Sequence, residues 1–114
     1  MFSEHPEIID RDELASIAMQ VILHAGDARE KIFQAVDEAS NGEFEAAKIL
    51  MGEANTELLK AHQAQTNTLQ LEAEGINIPY STLFSHAQDT LMTVKTEQNL
   101  IKQMIKLYQK LGEK

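Results

Sequence analysis

The sequence predicts an all-α protein, an antiparallel three-helix bundle built from long helices. Helix-favouring residues dominate, while Gly (5) and Pro (2) are scarce. Apolar residues recur at three- and four-residue steps over three stretches of about thirty residues each. Only two breaks interrupt the pattern, Ser40-Asn41-Gly42 and Glu74-Gly75-Ile76-Asn77-Ile78-Pro79.

Size and charge narrow the class further. A chain of 114 residues is one domain by length, long enough to bury a core. Residues 1–9 read as a flexible tail and residues 10–114 as the helical domain. The net charge of −8, from 10 basic and 18 acidic side chains, repels phosphate backbones and anionic membranes and favours basic protein surfaces. Nucleic-acid binding and membrane insertion are therefore not expected. The absence of cysteine excludes disulfides, thiolate catalysis and thiolate-bound zinc. Met1-Phe2-Ser3-Glu4-His5-Pro6 lacks the cationic-then-apolar order of a signal peptide, and no apolar run reaches the ~20 residues that span a bilayer. A cytoplasmic protein is the expectation.

The first helix starts at Asp10, followed by Glu13 in a capping-box spacing, with Asp12 adding negative charge to the first turn. Its stripe runs Leu14, Ile17, Ala18, Val21, Ala25, Ala28, Ile32, Ala35 and Ala39, broadened by Ile22 and Phe33. Gly26 interrupts good helix formers, which points to a tight crossing with a neighbouring helix. Ser40-Asn41-Gly42 stops the helix, with Gly42 free to adopt a left-handed backbone. The second helix begins near Glu43. Its stripe is apolar through Phe44, Ala47, Met51, Ala54, Leu58 and Ala61, then turns polar at Gln65, Thr68 and Glu72. A core face that ends in Gln and Thr meets water, a polar layer or a partner.

Ser81 caps the third helix, whose stripe is Phe84, Ala87, Leu91, Val94, Gln98, Ile101, Ile105 and Tyr108. Lys102, Lys106 and Lys110 fall in its last turns, where cations favour the negative helix end. Leu83, Leu100, Met104, Leu107 and Leu111 lie outside the stripe. Surplus apolar surface on so slim a bundle predicts a helix-on-helix oligomer.

The chemistry concentrates at Ser85-His86-Ala87-Gln88-Asp89-Thr90-Leu91-Met92. His86 and Asp89 project from adjacent turns of one face, and Thr90 and Thr93 extend the polar strip. A neutral imidazole, with an ordinary pKa of about 6.5, attacks a phosphoryl group and holds it as a phosphoramidate. Gln88, Gln63, Gln65 and Thr90 are candidate donors to the phosphoryl oxygens. The strip also suits a metal site or a satisfied polar layer. Asp89 reads as a surface carboxylate, a partner orienting His86, or, if the helix lines a symmetry axis, a carboxylate meeting its own copies. Such a cluster needs a cation such as Mg²⁺ or retained protons. Among the other histidines, His5 lies in the tail, His24 is off the stripe, and His62 has polar neighbours in Ala61-His62-Gln63-Ala64-Gln65-Thr66.

Together these segments resemble the lactose/cellobiose-class IIA component of the bacterial phosphoenolpyruvate-dependent sugar phosphotransferase system. The likeness rests on Ala25-Gly26-Asp27-Ala28-Arg29, Gly42-Glu43-Phe44-Glu45-Ala46-Ala47, Ala61 to Thr66, Glu72-Ala73-Glu74-Gly75, His86 to Met92 and Leu107-Tyr108. It spans roughly residues 11–111. The resemblance implies a helical homotrimer. It also implies that His86 takes phosphate on Nε2 from the histidine phosphocarrier protein and passes it to a IIB component. By the same motif Gln88 sits beside the site, His62 has a supporting role, and Asp89 binds a divalent cation, Mg²⁺ or another, shared by three subunits. His24 receives no role. Ala87 in His-Ala-Gln-Asp leans toward cellobiose- and diacetylchitobiose-type members rather than lactose members.

Two rivals remain in the sequence. A histidine-phosphotransfer domain of two-component signalling is also a small helical bundle, but it usually shows a basic residue shortly after its histidine, where Asp89 stands here. In a non-catalytic helical adaptor, His86 and Asp89 would form only a polar layer.

Overall fold

The computed structural model describes residues 8–113, so residues 1–7 of the expected tail, His5 included, and Lys114 lie outside the described residues. Three α-helices follow one another: α1 (Arg11–Ser40), α2 (Phe44–Ala73) and α3 (Thr82–Gly112). α1 is the central element. It packs along both α2 and α3, whereas α2 and α3 touch one another sparsely.

The periodic stripe of α1 explains that arrangement. Leu14, Ala18, Val21, Ala25, Ala28, Ile32, Ala35 and Ala39 are all buried. Alanine at five of these eight positions lets two helices approach the same stripe closely while Leu14, Val21 and Ile32 fill the space between them. α2 answers with Ala47, Ala54, Leu58 and Ala61, and α3 with Phe84, Ala87, Leu91, Val94 and Ile101. The polar half of the α2 stripe is also buried at Gln65 and Thr68, and Gln98 on α3 joins them. Gln98 donates to Asn55 Oδ1 at 3.0 Å and ties α2 to α3. Glu72 is exposed.

The helix ends follow their local sequences. The Asp10 carboxylate accepts from the Asp12 amide at 3.4 Å, and Ser81 Oγ accepts from the Phe84 amide at 3.0 Å. Gly42 (φ 82°) and Gly75 (φ 98°) turn the chain with left-handed backbones that a Cβ would strain.

Two expectations about α1 need correction. Gly26 is exposed, and a Cβ built there would meet nothing within 4 Å, so it marks no tight crossing. Phe33 is 45% exposed and does not widen the core stripe, while Ile22 does pack against it. Ile8 and Ile9, read as tail, are placed by the fold: the Ile9 amide donates to the Asn77 carbonyl at 3.0 Å, and Ile9 is only 2% exposed. The segment before α1 thus straps the α2–α3 loop to the core. Ile9→Ala should lower stability by about 2 kcal/mol, the low end for buried aliphatic truncation because a chain end relaxes easily. Urea unfolding with an unchanged m-value measures it.

Candidate functional site

His86 is the fifth residue of α3, just past the turn that Ser81 caps. Its neighbours fix the helix's rotation. Ala87 and Leu91 are fully buried against the core, which forces Ser85, His86 and Asp89 outward into solvent. The imidazole makes no hydrogen bond with another described residue, so both ring nitrogens are open. Asp89 likewise has a free carboxylate, and Gln88 is half-buried with a free amide. Among the described residues, the strip's only side-chain hydrogen bonds run from threonine hydroxyls to backbone carbonyls of α3. Thr90 Oγ1 donates to the His86 carbonyl at 2.9 Å, Thr93 Oγ1 to the Asp89 carbonyl at 2.8 Å, and Thr96 Oγ1 to the Met92 carbonyl at 3.1 Å. Each threonine spends its proton on the preceding turn of the same helix.

That distribution separates the four candidate donors. Thr90 has committed its proton. Gln63 Nε2 donates to Asn67 Oδ1 at 2.9 Å on the exposed side of α2. Gln65 is only 8% exposed, and its Oε1 is a buried oxygen without a partner. It falls level with Gln88, ten residues along α2 from the Asn55–Gln98 bond as Gln88 is ten residues back along α3. Gln88 is uncommitted, but it stands two residues from His86, about 200° around α3, on the flank that faces Gln65 of α2 rather than beside the imidazole.

His62 is exposed, its Nε2 3.4 Å from Thr66 Oγ1 on its own helix. It stands seven residues, about two turns, from Asn55, on the flank of α2 that faces α3. His86 lies on the other flank of α3, the one where Glu97 meets Arg29 of α1 at 2.8 Å. Within one chain the two histidines are therefore not brought together.

The far face of α3 carries a second pattern. Asp89, Thr93, Thr96, Leu100, Gln103 and Leu107 are all exposed and follow alternating four- and three-residue steps, the spacing of a coiled-coil seam. Leu100 and Leu107 are 60% and 58% exposed. One carboxylate per chain cannot form a metal site by itself, and among the described residues no three His, Asp or Glu side chains cluster as ligands.

Local sequence gave no hint of the polar clasps between helices. His24 Nδ1 lies 2.8 Å from Glu57 Oε1, bridging α1 and α2, and Lys60 holds the other Glu57 oxygen at 3.1 Å. These hydrogen bonds, His24 first, hold the Glu57 carboxyl below its ordinary value of 4.5. Only the 33-residue separation of His24 and Glu57 in sequence conceals the pairing.

A bundle with one long helix presenting an open histidine, amide and carboxylate on its surface defines a class of small helical histidine-bearing proteins. The comparisons give the particular family. Residues 16–109 match the family described as "PTS system, Lactose/Cellobiose specific IIA subunit", and the chain belongs to it. Among its relatives, the lactose-specific EIIA component of Staphylococcus epidermidis is 42% identical over 102 residues, covering 90% of this chain and 98% of that one. That of Lactococcus lactis subsp. lactis is 37% identical, covering 90% and 97%. The crystal structure of the cellobiose-specific enzyme IIA from Bacillus anthracis superposes with a TM-score of 0.86 at 36% identity, covering 93% of this chain and 95% of that one. The chitobiose IIA in complex with HPr, from Escherichia coli, superposes with a TM-score of 0.77 at 34% identity, covering 88% and 97%. The family read from the sequence is the one these comparisons return.

The clasp makes a prediction about acid stability. A lowered folded-state value means Glu57 stabilises the fold above its unfolded value and loses that contribution as pH falls through the lowered one. Glu57→Gln should lower Tm at pH 7, and the difference between the two melting temperatures should shrink as pH falls below the ordinary carboxyl range. A Tm difference that persists at low pH would show that packing, not charge, sets the effect.

Proposed function

We propose that the chain is a phosphoryl carrier of a sugar phosphotransferase system, with His86 as the residue that carries the group. The observation that supports this most directly is an unpartnered imidazole, presented by a rigid helix and anchored by buried Ala87 and Leu91, within the fold of this IIA family. The lone pair of unprotonated His86 Nε2 attacks the phosphorus of the histidine phosphocarrier's phosphohistidine. A new N–P bond forms as the carrier's N–P bond breaks, and the electron pair returns to the carrier's imidazole. Transfer to a IIB component repeats the exchange in the forward direction. Gln88, about 200° around α3 from His86 within one chain, is assigned as an amide donor to the phosphoryl oxygens only across subunits. The HPr complex of the chitobiose relative supports the first partner.

Assembly belongs to the same reading. The exposed seam from Asp89 to Leu107 suits parallel packing of α3 against its own copies, and the family resemblance makes the number three. The seam then gathers Asp89 carboxylates at an axis. A phosphoryl group adds about −1.5 to −2 charges one turn from them, so a divalent cation such as Mg²⁺ held by the three Asp89 side chains would relieve both repulsions. His62, on the opposite flank from His86 within one chain, is assigned a supporting role only across subunits. A cytoplasmic location, where phosphocarriers act, follows from the same reading; among the described residues no helix is long and apolar enough to cross a membrane. Cellobiose- or chitobiose-type disaccharides are the proposed cargo of the system.

Label from phosphoenolpyruvate, passed through enzyme I and the phosphocarrier protein, should appear on the wild type as an acid-labile, base-stable adduct and vanish in His86→Ala. Loss only in His62→Ala would move the site, and label arriving only from a response regulator would move the chain to two-component signalling. For the assembly, EDTA should reduce the sedimentation mass of the wild type, while Asp89→Asn should retain its mass with or without chelator.

A further inference from the structure

The end of the bundle formed by the α1–α2 turn and the last turns of α3 has an unfinished core. Its fully buried members are all alanines, Ala35, Ala39 and Ala47, while the large side chains packed on them are only partly buried. Between α2 and α3 this end opens into a groove of about 370 Å³, floored by Phe44, Met51 and Ile105. Lys48 on one rim and Lys102 and Lys106 on the other line the same groove, facing a single carboxylate, Glu45. These three lysines are exposed and form no ion pair among the described residues, whereas Arg29, Lys31 and Lys60 each hold a glutamate. In a chain of net charge −8, this is a local excess of unneutralised positive charge over an apolar floor.

The dimensions fit a helix. Phe44 and Met51 stand seven residues apart on α2, as do Lys102 and Gln109 on α3, giving a trough of about two turns, ~10 Å. Anchors at i, i+3 or i+4, and i+7 of an amphipathic helix occupy such a trough, and carboxylates along its flanks meet the three ammonium groups. The groove is separate from both surfaces described above. Lys102 follows Leu100 of the seam by two residues, about 200° around the helix, and Lys106 precedes Leu107 by one, about 100°, so packing through the seam leaves the Phe44, Met51 and Ile105 floor open. Sixteen residues of α3, about 24 Å, part Lys102 from His86.

We propose that this groove docks an acidic amphipathic helix of a partner protein while His86 remains accessible. The test uses the full chain and a fluorescein-labelled synthetic helix of about four turns, with leucines at i, i+3, i+4 and i+7 between glutamates. Fluorescence anisotropy should show saturable binding near 100 μM, as order of magnitude for a small interface, weakening as salt is raised. Lys102→Glu with Lys106→Glu should weaken it at least about 10-fold, the milder pair Lys102→Gln with Lys106→Gln about 3-fold, and Glu45→Lys should tighten it about 3-fold. Circular dichroism of each variant confirms an unchanged helical fold. Absence of saturation at about 1 mM, equal binding of a scrambled peptide, or undiminished binding by the folded Lys→Glu pair overturns the proposal. So does a change in the sedimentation mass of the protein alone in that pair, which would make the groove an interface between copies.

Discussion

Everything in the molecule depends on one helix being buried along a narrow stripe. α1 places Leu14, Ala18, Val21, Ala25, Ala28, Ile32, Ala35 and Ala39 on one line, and both other helices pack against it. Burial of apolar area at about 25 cal/mol per Å² rewards that line only while the small residues allow close approach. The consequence is geometric. Because α2 and α3 spend their core faces on α1 and meet each other sparsely, each keeps an outer face in water. The histidine strip, the seam of α3 and the lysine groove all lie on those outer faces.

Rigidity is what the scaffold contributes to the strip. A helix whose rotation is fixed by Ala87, Leu91 and Val94 holds His86 and Asp89 one turn apart with little freedom of the backbone. The threonine ladder ties up hydroxyl protons within α3 and leaves the imidazole, the Gln88 amide and the Asp89 carboxylate uncommitted. For a protein proposed to exchange a phosphoryl group with two partners in turn, an exposed and unpartnered nucleophile is the economical arrangement, since neither exchange requires a pocket to open.

The polar residues of the interior tell a different story from the apolar ones. Gln65 and Thr68 continue the α2 stripe, and Gln98 interrupts that of α3. The register of α2 against α3 rests on the Asn55–Gln98 bond, and the attachment of both helices to α1 is reinforced at His24–Glu57 and Arg29–Glu97. Buried amides and paired charges on a slim bundle add directionality that alanine and leucine contacts lack. Gln65 Oε1 is the one buried side-chain oxygen or nitrogen among the described residues that has no hydrogen-bond partner.

By itself the sequence determined what is local. Three- and four-residue periodicity marked all three helices, Asp10, Ser81 and Gly42 marked their ends, and the spacing of His86, Gln88 and Asp89 placed them around one turn of α3 because helix geometry is set by neighbours in the chain. Tertiary structure decided what depends on residues far apart. Gly26 and Phe33 resemble packing positions by sequence, yet no helix passes over them, and Ile9 reads as tail although Asn77, distant in sequence, draws it into the core. The flanks on which His62 and His86 stand, and the meeting of Lys48 with Lys102 and Lys106 around one groove, follow from how α2 and α3 are rotated about α1. That rotation is fixed by the packing of all three stripes at once, a property no single stretch of chain contains.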